Sequence, residues 1–293
     1  MTRQNSGRSD PDADTISEAG RESFGTLANA TRLEILDALA TADSPLSYAN
    51  LFERSSADDR GRFNYHLRQL RDGHVRKTDQ GYELAQSGVW ATNILTASVL
   101  QQGGERPFRE IDSTCGNCGS SPVEIGYRGG EGIVRCRECD RQLTRFDFPP
   151  GAVRNLSLED FVEAFAQRTR RYVGLADAGV CPFCSHRMTS VLRPGSATRS
   201  DSLPVAFDCS GCSAELRAPL GLVLSNRPRI SATLFERGID LDETPFWERG
   251  WCTFSAPRVS RTDPLLVALE MPTDDGDWTV VADENVDIRE LDC

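Results

Sequence analysis

At 293 residues, with 39% hydrophobic and 26% charged positions, the chain is long enough to bury more than one core. No apolar run approaches the length that crosses a bilayer. Forty-four acidic against 33 basic residues give a net charge of −11, which excludes polyanion binding by the surface as a whole and restricts any nucleic-acid site to a local basic patch.

Residues 1–15 carry no apolar signal segment and read as a disordered arm. Helical punctuation follows. Ile16 to Leu27 place apolar residues at helical spacing, and Thr31 is positioned to cap a second helix whose buried stripe is Leu33, Ile35, Leu36 and Leu39. Ser44-Pro45 ends the connection, and Leu46 to Phe52 read as a short third helix. A fourth starts at Ser55 or Ser56, turns Phe63, Leu67 and Leu70 inward and presents Arg60, Gly61, Asn64, Tyr65 and Arg68 outward, until Asp72-Gly73 stops it. Val75 to Lys77 and Tyr82 to Leu84 form a hairpin around Asp79-Gln80-Gly81, and Ser87 to Leu100 a last helix with Trp90, Ile94 and Leu95. This order predicts a winged helix-turn-helix over residues 16–108.

Charge singles out one part of that domain. Between Arg60 and Lys77 stand six basic residues, Arg60, Arg62, Arg68, Arg71, Arg76 and Lys77, and one acid, Asp72. Arginine and asparagine make bidentate contacts to base edges in the major groove, and a basic wing reaches neighbouring phosphates. Arg60, Asn64, Tyr65 and Arg68 are therefore expected in the groove, Arg76 and Lys77 on the wing, and Arg62 in either place. Tyr65 has a competing reading as a capped core aromatic, and His66 is expected to pack beside Leu67 and Leu70.

The stretch Phe24-Gly-Thr-Leu-Ala-Asn-Ala-Thr-Arg-Leu-Glu-Ile-Leu-Asp-Ala-Leu39 resembles the opening of ArsR-type winged-helix regulators, and Phe63-Asn-Tyr-His-Leu-Arg-Gln-Leu70 resembles their recognition helix. The resemblance covers about residues 16 to 105. It implies a DNA-binding homodimer paired through its first and last helices, about Ile16 to Leu27 and Ser87 to Leu100. Metal-sensing members carry cysteines in the helix before the recognition helix. Ser47-Tyr-Ala-Asn-Leu-Phe-Glu53 has none, so the resemblance does not extend to sensing by that route. Lys77 is the only lysine, and dense carboxylates with arginine resemble the surfaces of proteins from halophilic archaea, whose salt-rich cytoplasm screens self-repulsion.

The middle of the chain carries four CxxC knuckles. Cys115 and Cys118 precede Cys136 and Cys139 by 17 intervening residues, and Cys181 and Cys184 precede Cys209 and Cys212 by 24. Two residues between cysteines let the chain turn so that both sulfurs face one ion, and two such pairs supply the closed tetrahedral set of a structural zinc site. Two zinc ribbons are expected, at 109–148 and 177–222, holding two Zn²⁺ per chain. Four thiolates on one Zn²⁺ leave about −2 of charge, which Arg135, Arg137 and Arg141 are placed to offset. Disulfides and a redox CxxC are rival readings, weakened by four knuckles in series, and a catalytic zinc needs an open position that four thiolates deny. His186 is expected at the surface or beside the ligands.

Ser157-Leu-Glu-Asp160 reads as a capped helix start within 149–176, a linker whose Arg168, Arg170 and Arg171 are expected as an exposed charged face, with contact to DNA as the rival reading. Residues 223–293 are expected as a small α+β domain, with a helix at Ile230 to Arg237 and strands at Trp251 to Ser255, Leu265 to Leu269 and Trp278 to Val281. Cys252 is expected buried and Cys293 loose at the end. The fold class expected is therefore α+β and multidomain. The function expected is a soluble, cytoplasmic, sequence-specific transcriptional regulator that binds double-stranded DNA and contacts the transcription machinery through its ribbons. Two alternatives stand: a basal factor similar to archaeal transcription factor E, which also joins a winged helix to a zinc ribbon, and a zinc-ribbon interaction scaffold. Three histidines and no pairing of nucleophile with base argue against an enzyme.

Overall fold

The computed structural model describes residues 17–98, 104–192, 204–254, 257–273 and 276–292; the expected arm at 1–15 and Cys293 lie outside them. The chain divides into two compact units, 1–101 and 102–293.

Short polar side chains decide where the helices of the first unit begin, because each satisfies an N–H group that the first turn leaves unpaired. Ser17 accepts from the Gly20 N–H to start α1 (Glu18–Leu27). Asn29, and not Thr31 as expected, caps α2 (Ala30–Ala40) through the Arg32 N–H, and Thr31 is buried in its first turn. Ser47 caps α3 (Tyr48–Glu53), so Leu46 is not helical and instead pairs with Tyr82 in an isolated bridge. Asp59 caps α4 (Arg60–Arg71) through the Arg62 N–H at 2.7 Å. The start expected at Ser55 or Ser56 is corrected by their partners, since the Ser55 hydroxyl closes the end of α3 on Phe52 O and Ser56 is bound to Glu34. The hairpin β1 (Val75–Thr78) and β2 (Gly81–Leu84) pairs Val75 with Leu84, and α5 (Gln86–Ala97) follows. Ile35, Leu36, Leu51, Phe63, Leu67 and Leu70 form the core, with Tyr48 and Phe52 edge-on to Phe63. Leu33 is only partly buried.

The second unit opens with an antiparallel meander of β3 (Arg106–Ile111), β4 (Val123–Arg128), β5 (Glu131–Cys136) and β6 (Arg141–Asp147). A short α6 (Pro150–Asn155) leads into the 20-residue α7 (Leu158–Asp177), capped by Ser157 on the Asp160 N–H. A three-stranded sheet, β7 (Met188–Leu192), β8 (Pro204–Cys209) and β9 (Glu215–Pro219), precedes α8 (Leu220–Ser225) and α9 (Pro228–Glu236). A 3-10 turn at Phe246–Glu248 and α10 (Gly250–Thr253) then lead to a meander of β10 (Arg258–Thr262), β11 (Leu265–Thr273), β12 (Gly276–Asp283) and β13 (Ile288–Asp292). Val267, Leu269 and Met271 on β11 and Trp278, Val280 and Ala282 on β12 alternate inward, as a half-buried sheet requires.

The segments expected as separate pieces at 109–148, 149–176, 177–222 and 223–293 share one continuous core. α7 is its spine: Phe161, Phe165, Thr169, Val173 and Ala176 are buried along one side, and the Phe165 ring lies where a side chain on Gly132 would sit, 2.5 Å from the position of a Cβ. Two expectations are corrected here. The strand expected at Trp251 to Ser255, whose last residue lies outside the described ones, is not formed by Trp251, Cys252 and Thr253, which lie in α10, buried against α8 so closely that a Cβ on Gly221 would stand 1.8 Å from Trp251 O. Arg168, Arg170 and Arg171 are not a free charged face: Arg170 and Arg171 each reach Asp242 at 2.6 Å, and Arg168 pairs with Asp147 at 2.7 Å and covers the Tyr172 ring. Cys252 is fully buried, as expected. Among the described residues no helix is long and apolar enough to cross a membrane.

Candidate metal centres and candidate nucleic-acid face

All eight knuckle cysteines converge as their spacing requires. Cys115, Cys118, Cys136 and Cys139 form one cluster and Cys181, Cys184, Cys209 and Cys212 the other, with the sulfurs of each within 4.8 Å of one another. None is in a disulfide. The Sγ atoms lie 3.8 Å apart for Cys115 and Cys139, 3.7 Å for Cys118 and Cys136, 3.9 Å for Cys181 and Cys212 and 3.5 Å for Cys184 and Cys209. A tetrahedron with metal–sulfur bonds of about 2.3 Å has edges of about 3.8 Å, so the donor set fits a metal ion of that kind.

The backbone of each knuckle explains the fit. In the first knuckle of each cluster the residue four positions on donates to the cysteine carbonyl and the cysteine N–H donates to the residue five positions on: Gly119 and Ser120 for Cys115, Ser185 and His186 for Cys181. That turn needs a left-handed residue, and Gly119 and Ser185 supply it at φ 74° and 62°, as does Asp140 at 51° after the second knuckle. Burial pushes the Cys115 thiol up to about 12, whereas Ser120, by its hydroxyl and backbone, brings Cys118 down to about 6. A divalent cation among the four sulfurs would hold all of them as thiolates.

Of the neighbours, His186 lies at the surface as expected, while Arg135 and Arg137 have a carboxylate partner of their own. Arg135 and Arg137 turn to the buried Glu124, at 2.9 and 3.6 Å, and Arg135 stacks on Phe108. Arg141 lies over Phe254. His186 is exposed, with Nδ1 3.2 Å from Cys184 O. A clasp on the first centre has no local signal in the sequence: Ser113 donates to Glu248 at 2.5 Å and accepts from Trp247 Nε1 at 2.9 Å, Glu248 also accepts from the Thr114 N–H, and the Gly116 N–H donates to Trp247 O. These partners lie more than 130 residues apart in the chain.

In the first unit the groove residues expected on α4 all lie outside its buried stripe. Phe63, His66, Leu67 and Leu70 are buried, while Arg60, Arg62, Asn64, Tyr65 and Arg68 are exposed, Tyr65 by 58%. The Arg60 guanidinium lies over the Phe52 ring, and the Tyr48 hydroxyl donates to Arg60 O, which fixes the first turn of α4 on α3. His66 is held below its ordinary pKa by burial and by Arg32 and Arg62, and its ring lies edge-on to Tyr65 at 5.3 Å. On the hairpin Arg76 is paired with Glu83 at 2.6 Å, and Lys77 stands over Tyr82.

The chain belongs to the family described as Domain of unknown function (DUF7351), whose model matches residues 112–288 and thus spans both cysteine clusters. A second model, Domain of unknown function (DUF7347), matches residues 20–95. No curated protein and no solved structure matches the chain.

Proposed function

We propose that residues 17–98 are a winged helix-turn-helix that binds double-stranded DNA, that the chain is a sequence-specific transcriptional regulator, and that each tetracysteine cluster holds a structural Zn²⁺. The observation that carries this reading is the division of α4: its inner side is locked in the core, and its outer side presents arginine and asparagine donors suited to base edges. β1 and β2 serve as the wing. The chain is acidic overall, so this local surface, and not bulk attraction, must supply the affinity. Phe24 on α1 and Trp90, Ile94 and Leu95 on α5 are exposed, and α1 buries no residue, which supports a homodimer paired through these two helices. Zinc is favoured by four thiolates at tetrahedral spacing with no open position, and the ribbons offer rigid surfaces for the transcription machinery.

The test is binding to preferred and random duplexes across a salt series. Arg60→Ala or Asn64→Ala is expected to cost roughly 1–3 kcal/mol on the preferred site and to narrow its advantage over random DNA. Lys77→Ala is expected to weaken both about equally and to lower the salt slope by about one ion. Arg76→Ala should do so less, because Arg76 must first leave Glu83. Identical behaviour of the helix and wing variants, or no DNA binding at all, would overturn the reading.

A further inference from the structure

We infer that Glu34 is a positioning residue for the base-reading side of α4, an inference that rests on the DNA-binding reading above. Glu34 lies on α2 between Leu33 and Ile35, and the next residue is Leu36; Ile35 and Leu36 are fully buried, so its backbone is fixed in the core. Its carboxylate crosses to the connection between α3 and α4, where it accepts from the Ser56 N–H at 2.8 Å and lies 2.8 and 2.7 Å from the Ser56 hydroxyl. Hydrogen bonds to an ionised acceptor are the stronger kind.

The rest of the connection is tied to α3 and to its own residues, with the Tyr48 hydroxyl on Arg60 O and the Arg60 guanidinium over Phe52 at its far end. The Ser55 hydroxyl donates to Phe52 O, the Ala57 N–H donates back to Ser55, and Asp59 caps α4. Ala57 adds partial burial against the core. Glu34 is thus the charged strut between the frame of the unit and the residues that lead into Arg60. Base readout needs the reading residues held to about half an ångström, whereas attraction to phosphates tolerates looseness. Removing the strut therefore lowers discrimination and leaves attraction in place. A carboxylate that acted only by repelling phosphates would do the reverse, and its neutral amide would behave like alanine.

The experiment uses the full chain, a preferred duplex selected from a random pool, and a random duplex. Glu34→Ala is expected to reduce the ratio of preferred to random affinity about fivefold, the lower end of one bidentate base contact. Random-duplex affinity should stay within about twofold and the salt slope should not change, since no phosphate contact is lost. Glu34→Gln, whose amide oxygen still accepts from the Ser56 N–H, should keep most of the ratio, and Ser56→Ala added to Glu34→Ala should cost nothing more. Hydrogen exchange at residues 56–62 should quicken in Glu34→Ala and not in Glu34→Gln. A wild-type chain that does not discriminate overturns the DNA reading and this inference together. A wild type that discriminates, with a Glu34→Ala variant that does so equally or a Glu34→Gln variant as poor as alanine, overturns the inference alone.

Discussion

The two tetracysteine centres have the same ligand set and the same turn in their first knuckles, yet they are seated differently. The first is clasped from above: Gly116 packs on Gly250 so tightly that a Cβ on either would stand under 3 Å from the other's backbone, and Ser113 and Thr114 hold Glu248. The second lies just beyond α7 and turns its own knuckle residues outward, with Phe183 52% exposed and His186 exposed. Ligand geometry is thus a local matter, set by spacing and by a left-handed residue after the knuckle. What a centre organises around itself is set by residues far along the chain. The first centre is tied to the 246–253 segment through Gly116, Ser113 and Thr114, and the second meets α7 through Phe183, edge-on to Tyr172 at 5.6 Å.

The sharpest way to break this comparison is to remove one ligand from each centre. Cys136→Ser and Cys209→Ser each take a buried sulfur from the shared core, and each is expected to reduce two bound metals to one by native mass spectrometry. Structural zinc binding is worth on the order of 10 kcal/mol in small modules, so either loss should loosen residues 102–293 while the helices of 17–98 stay folded. Hydrogen exchange separates the two variants. Cys136→Ser should expose the amides of 246–253 and Cys209→Ser should not. Equal exposure in both would show that the clasp belongs to the core as a whole.

A smaller and more local contrast comes from two glycines. On Gly116 a Cβ would stand 2.7 Å from Gly250 N and Trp247 O, backbone atoms with nowhere to go, so Gly116→Ala should cost about 2–3 kcal/mol in chemical denaturation. On Gly211 a Cβ would meet the His186 ring at 2.2 Å, but that ring is exposed and can turn away, so Gly211→Ala should cost under about 0.5 kcal/mol. Ser113→Ala falls between them at about 1–2 kcal/mol, because it leaves the buried Trp247 Nε1 without its acceptor. A Gly211→Ala variant as damaged as Gly116→Ala would mean that the second knuckle is as confined as the first.

How much of this was legible from residues alone follows the same line between local and distant causes. The eight ligands were legible because their spacing is the signal, and the inward stripe of α4 because Phe63, Leu67 and Leu70 repeat at helical period. Helix starts were misplaced where several short polar residues compete within a few positions. Asn29 outcompetes Thr31, and Asp59 caps α4 because Ser56 is engaged by Glu34 from another helix. α10 was misread because a run rich in aromatic and small apolar residues suits a buried strand as well as a buried turn of helix. Strand β3 gave no warning, since Arg106 to Ile111 mixes charges with single apolar residues and takes its conformation from β4. Arg170 was read as exposed because its partner, Asp242, lies 72 residues further on.

That last pair yields the smallest effect and one with a definite sign. Burial opposes ionisation of Asp242, but Arg170 and Arg171, each 2.6 Å from Oδ1, hold its carboxyl below the usual range. A carboxylate with a depressed folded-state pKa contributes stability that is fully present above its unfolded value, near 4, and is lost as pH falls through the lower folded value. Asp242 is 52% exposed, so solvent screens much of the attraction and about 1 kcal/mol is the scale to expect. Some of it survives screening, because the Arg170 side chain is only 6% exposed and would be left without its counter-charge. Asp242→Asn should therefore be less stable than the wild type by a constant amount between pH 7 and about 5, with the gap closing below about 4. Acid also protonates the thiolates of both centres, but that loss is common to the two proteins, so their difference is the quantity to follow by denaturation at each pH. An Asp242→Asn variant as stable as the wild type at pH 7 would show that the arginines of α7 are held by packing alone, and that distant charge pairs do less for this unit than the clasp on its first centre.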